Sequence, residues 1–180
     1  MKTAGGHLTY CTNIHPGETW EAVFENVRTH VREVKARLGL TAKGEAFGVG
    51  LRLSAEAARR LREPDELERF RDYLDVHGLY VFTINGFPYG RFHGAVVKEA
   101  VYRPDWREAE RQRYTSDLAE LLAALLPEGI GGSISTVPGG FKRDVETPEH
   151  ARQIARALLD SAALLHALRE RTGREIALAL

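Results

Sequence analysis

This sequence is short of cysteine. Cys11 stands alone, so no internal disulfide can form, and the chain fits a reducing compartment. It is equally short of net charge. Lysine plus arginine and aspartate plus glutamate number 25 each, so no global field favours nucleic acid, an anionic membrane or an acidic substrate. The basic residues are scattered over helical faces and form no run. No apolar stretch is long enough to span a bilayer, and the opening segment Met1–His7 lacks the apolar core of a signal peptide. Glycine-rich phosphate loops are missing too. No G-x-G-x-x-G follows the first strand, and no G-x-x-x-x-G-K-[ST] occurs anywhere. These absences leave the expectation of one cytoplasmic domain spanning residues 1–180, with 43% apolar residues to build its core.

What the chain does have is alternation. A strand over Leu8–Asn13 precedes a helix from Glu18 to Leu38, whose stripe Trp20, Val23, Phe24, Val27, Val31, Val34 and Leu38 has helical spacing. A second strand, Phe47–Leu53, is followed by Ser54 as N-cap, a short helix to Arg62, and a restart at Pro64. Leu79–Asn85 forms the third strand. A loop rich in glycine and aromatics leads to Asp105 and Glu108, spaced as a capping box for the third helix. Ile130–Val137 is the fourth strand, Thr147–Pro148 opens the fourth helix, and Glu175–Leu180 is a fifth strand. Strict alternation predicts a parallel sheet with right-handed crossovers.

The strand faces separate two forms of such a sheet. One face is large and apolar: Tyr10; Phe47, Val49, Leu51 and Leu53; Tyr80, Phe82 and Ile84; Ile130 and Ile134; Ile176, Leu178 and Leu180. The other is compact or polar: Thr9, Cys11, Asn13, Gly48, Gly50, Arg52, Thr83, Asn85, Gly131, Ser133, Ser135, Ala177 and Ala179. An open sheet covered on both sides is apolar on both faces. A barrel is apolar only under its helices, with compact side chains inside and polar groups at the C-terminal mouth. The predicted fold class is therefore α/β, a parallel (β/α)8 TIM-barrel type. Residues 1–180 supply its N-terminal five strands and four helical segments, and the alternation is expected to run on past Leu180.

Barrel ligands bind at the C-terminal strand ends. Those ends carry Asn13 and His15, then Arg52, then Asn85 with Tyr89 and His93, then Thr136. Amides, imidazoles and aromatic walls suit a polyhydroxylated or otherwise polar molecule. His15 and His93 are the candidate catalytic bases; Asn13, Arg52, Asn85, Tyr89 and Thr136 are the candidate substrate-binding residues. Each has a plainer alternative. Asn13 can form an Asx turn into Pro16–Gly17. His15 can be a loop histidine with a backbone partner, and Tyr89 and His93 can pack a loop. Arg52, on the lumen side, needs a ligand or an acid on a neighbouring strand. Its replacement by alanine is expected to weaken ligand binding more than stability. No carboxylate stands at a strand end, so these residues ligate no metal by themselves. Cys11, mid-strand among small neighbours, reads as a buried, inert thiol.

Two blocks carry a family resemblance. Leu8-Thr9-Tyr10-Cys11-Thr12-Asn13-Ile14-His15-Pro16-Gly17-Glu18-Thr19-Trp20 is one. Tyr80-Val81-Phe82-Thr83-Ile84-Asn85-Gly86-Phe87-Pro88-Tyr89-Gly90-Arg91-Phe92-His93-Gly94 is the other, continued by Val97-Lys98 and Tyr102-Arg103-Pro104-Asp105-Trp106. Both resemble the EboE-type metabolite-traffic proteins of the xylose isomerase-like barrel superfamily. The resemblance implies an eight-stranded barrel in a pathway that makes or exports a small metabolite. It implies binding or transformation of that metabolite at the mouth, as a metal-assisted sugar isomerase or epimerase, or else non-catalytic carriage. A divalent metal is implied only for the full-length barrel, with ligands on strands five to eight, and none maps onto a residue of this chain. The expected partners are a small metabolite and either the C-terminal half of the barrel or another half-barrel. Nucleic-acid repair, by analogy with endonuclease IV, is disfavoured by the zero net charge.

Overall fold

The computed structural model describes residues 1–90 and 98–180. It opens with a feature the alternation does not announce, an antiparallel hairpin of β1 (Lys2–Thr3) and β2 (Gly6–His7). Then come β3 (Thr9–Cys11) and a continuous helical segment of α1 (Trp20–Asn26), a π-helical turn (Val27–Val31) and α2 (Arg32–Arg37). The chain continues through β4 (Phe47–Arg52), α3 (Ala55–Leu61), α4 (Pro64–Val76), β5 (Leu79–Asn85), α5 (Ala109–Leu125), β6 (Gly132–Ser135), α6 (Pro148–Thr172) and β7 (Ile176–Ala179).

The protein is α/β. Its main sheet has five parallel strands in the order β3-β4-β5-β6-β7. That order never reverses, whereas a doubly wound sheet needs a reversal to place helices on both faces. Right-handed crossovers stepping one way put every helix on the same side. Burial follows. Val49, Leu51, Val81 and Ile84 are fully buried against the helices, joined by Ile134 and Ile176, each contributing about 1.5–3 kcal/mol of hydrophobic stabilisation. Toward the C-terminal strand ends the opposite face carries small and polar residues. Among the described residues β3 and β7 each have one strand neighbour, so the sheet has two edges and is not closed.

Helix starts follow the capping chemistry. Thr19, Ser54 and Thr147 each accept a hydrogen bond from the backbone amide three residues on. The expected capping box fails instructively. Glu108 Oε1 does accept the Asp105 amide at 2.9 Å, but the Asp105 carboxylate is taken by Arg107 and the helix begins only at Ala109. Leu38, expected at the end of the buried stripe, is 53% exposed, beyond the last helical turn.

One strand corrects the expected faces. Tyr80 and Phe82 do not lie under the helices; Leu79 and Val81 do. Val49 pairs with Val81, but Gly50 pairs with Thr83, so Phe82 is an extra residue. Such a bulge resets the alternation. Below it Tyr80 and Phe82 turn toward the hairpin: the Tyr80 hydroxyl lies 3.0 Å from the Met1 ammonium and 2.8 Å from His7 Nδ1, and the Phe82 ring packs 5.4 Å from the His7 ring. Above it Thr83 and Asn85 fall on the uncovered face. Gly48 makes room for this packing, since a Cβ there would sit 2.8 Å from the Leu8 carbonyl oxygen and 2.9 Å from Phe82.

Candidate functional site

Strand register sorts the uncovered face into two transverse rows near the C-terminal ends. Cys11, Gly50, Thr83, Ser133 and Ala177 form the first. Arg52, Asn85, Ser135 and Ala179 form the second. Hydroxyls and an amide link neighbouring strands within each row. Thr83 Oγ1 and Ser133 Oγ are 2.9 Å apart, and Ser135 donates to Asn85 Oδ1 at 3.3 Å. The same Asn85 oxygen accepts the Phe87 amide at 3.1 Å, which starts the loop above it. Glycine and alanine on the flanks leave space over these groups. The rows offer neutral hydrogen-bonding groups and one thiol.

Cys11 departs from expectation, for its thiol is exposed on this face. It lies against Gly50, where a Cβ would come within 2.7 Å of the sulfur.

Arg52 reaches the second row by its backbone, yet its guanidinium is 2% exposed and held by protein. It donates to the Gly17 and Gly90 carbonyls, each at 2.8 Å, and to Glu18 Oε2 at 2.7 Å. Its own amide donates to Thr12 Oγ1 at 2.9 Å. The acid partner comes from the β3–α1 loop and not from a neighbouring strand. Arg52 Nε is buried with no hydrogen-bond partner. Arg52 thus ties two mouth loops together.

Arg111 does the same from α5. Fully buried, it donates to the carbonyls of Pro104 and Gly86, each at 2.8 Å, and of Phe87 at 3.2 Å. Its guanidinium carbon lies 5.5 Å from the Tyr114 ring centre and 6.0 Å from that of Tyr89. Burial holds its pKa below the usual arginine value, with the tyrosines opposing. A third clamp joins the loop before α5 to the loop before α6. Asp105, fully buried, takes Arg107 on both carboxylate oxygens, while Arg103 bonds Asp144 at 2.6 Å. Nothing in local spacing marks Glu18 or Arg111, because their partners lie on distant segments; the spacing marks Asp105 only as a helix cap, and its arginine partners stand two residues to either side.

The remaining sequence candidates scatter. His15 lies on the helix side of β3. Its Nε2 is 2.9 Å from the Tyr10 hydroxyl, and its ring stacks on His30 at 3.9 Å. Tyr10 pairs with the helix-facing Val49, which places this cluster across the sheet from the two rows. Asn13 is half-buried in the turn after β3. In that turn the His15 amide bonds the Thr12 carbonyl in place of the alternative Asx turn, and Asn26 holds the Pro16 carbonyl. Tyr89 packs edge-on against Tyr114, and its carbonyl accepts the Ala55 amide. Thr136 is buried with its hydroxyl unpartnered, in step with the helix-facing Gly132 and Ile134. His93 lies outside the described residues. Of the candidates, Asn85 alone joins the described hydroxyl network.

No cluster of three or more histidine, cysteine, aspartate or glutamate side chains suited to a metal occurs among the described residues. Among them, no helix is long and apolar enough to cross a membrane. No protein-family model, curated protein or solved structure matches the chain, so the EboE-type resemblance rests on the two sequence blocks.

Proposed function

We propose that the five strands belong to a closed (β/α)8 barrel whose C-terminal mouth binds a small, polar, uncharged metabolite. The observation that carries this is the uncovered face, with Thr83, Ser133, Asn85 and Ser135 in two rows above a floor filled by Tyr80, Phe82 and the hairpin. A solvated sheet face needs no such layering, whereas a barrel interior stacks its inward residues in this way. The EboE-type resemblance supports the same reading and places the metabolite in a biosynthesis or export pathway. The partner implied is the rest of the barrel, paired to the edges of β3 and β7 as the same chain's C-terminal half or as another half-barrel.

Two versions of this function differ in chemistry. Metal-assisted isomerisation or epimerisation needs ligands and a base that the described residues do not supply. Carriage without catalysis needs only the neutral hydrogen-bonding rows. The position of His15 across the sheet favours carriage for this part of the molecule.

Calorimetric titration of the complete protein with D-xylose, D-fructose and myo-inositol tests the reading. At least one should bind, and Asn85→Leu should weaken it about tenfold, the equivalent of one good hydrogen bond. A polyol that binds the folded variant as well as the native protein, or failure of all three to bind, contradicts it.

A further inference from the structure

At the N-terminal end of the sheet, remote from the mouth, a cavity of about 640 Å³ separates the first helical segment from the end of α4. Its lining includes Arg28, Arg32, Lys35 and His77, against Glu33 and Asp75. Arg28 also lines an adjoining cavity of about 490 Å³ with Phe24, Arg69 and Tyr73. The charges are unevenly compensated. Arg28 pairs with Glu25 at 3.5 Å, and Glu33 is taken by Arg37 at 2.5 Å. Among the described residues, no carboxylate forms an ion pair with Arg32 or Lys35.

Lys35 is 6% exposed, an unusual state for an ammonium without an acid. Two of its protons go to the carbonyls of His77 and Gly78, at 2.6 and 3.0 Å, at the negative end of α4. Those bonds account for part of its charge. In the adjoining cavity the Tyr73 hydroxyl is buried, with Arg32 within its hydrogen-bonding reach and Arg28 near enough to bias its ionisation. The backbone carries a further mark. Arg28 and Thr29 belong to the π-helical turn, a rare insertion that costs helix regularity and tends to persist at functional sites.

We infer that this groove binds a phosphate group, as free phosphate or as a small phosphate monoester. Arg28 and Arg32 supply guanidinium donors, and Lys35 contributes its charge from the floor. Asp75 opposes binding. His77, its ring 4.3 Å from Tyr73, reports on occupancy. Burial first, then Arg32 and Lys35, hold its pKa below the ordinary histidine value, and a nearby dianion should raise it.

The experiment follows His77 by NMR pH titration while inorganic phosphate, glycerol 3-phosphate or sodium chloride of matched ionic strength is added. Phosphate is expected to raise the His77 pKa and the melting temperature, and Asp75→Asn to tighten its binding. Arg32 is exposed, so Arg32→Gln should fold and bind about tenfold more weakly. Glycerol 3-phosphate binding more tightly than phosphate identifies an ester as the ligand, and equal binding identifies the phosphate alone. The same response to chloride, or an Arg32→Gln protein that responds like the native one, overturns the inference.

Discussion

Asp105→Ala should lower the stability of the chain by about 1.5–3 kcal/mol, the cost of losing charge-assisted hydrogen bonds to a buried carboxylate. The carboxylate has no solvent exposure, and it holds Arg107 through both oxygens, the Arg107 amide at 2.9 Å, and Arg103 at 3.5 Å. Gly140 packs against it closely enough that a Cβ there would lie 3.0 Å from the carboxylate oxygen. The alanine protein therefore loses the carboxylate that aligns Arg103 and Arg107 toward Asp144 in the loop before α6. Chemical denaturation measures the loss; a change within the scatter of surface substitutions would show the cluster to be ornamental. A pH dependence accompanies it. Burial alone would raise the Asp105 pKa, but its bonds to Arg107 and the field of Arg103 hold it below the usual aspartate value. A depressed folded pKa means stability that is complete above the unfolded value, near pH 4, and lost as pH falls through the folded value. Asp105→Asn should remove this part of the acid unfolding transition.

Arg52→Ala should cost about 3 kcal/mol of stability, measured in the same way. This reverses the order expected from the sequence, where a lumen-side arginine reads as a ligand contact. The guanidinium instead satisfies two loop carbonyls and Glu18 at once. Arg52→Lys should recover little, because one ammonium cannot reproduce the planar fork that reaches three acceptors. An alanine variant of native stability would return Arg52 to the ligand.

Strand positions and their order were legible because alternation of compact and large side chains repeats in the strands other than β5. Helix entries at Ser54 and Thr147 were legible because capping is local. Other features depend on contacts distant in sequence. The hairpin strands are two residues each and polar, with no periodicity to detect. The bulge at Phe82 leaves an unbroken apolar run, so the inversion of Tyr80 and Phe82 is invisible without the register. His15 reads as a rim residue, but the Tyr10 hydroxyl and the His30 ring draw it to the other side. Cys11 reads as enclosed by small neighbours, and in the structure the same smallness leaves the sulfur open.

That sulfur is also the best probe of the central claim, since the sequence holds no other cysteine. If the two polar rows line the interior of a closed barrel, Cys11 should resist alkylation in the natively assembled protein and react readily once it is unfolded. Equally rapid alkylation before and after unfolding would mean that nothing encloses this face.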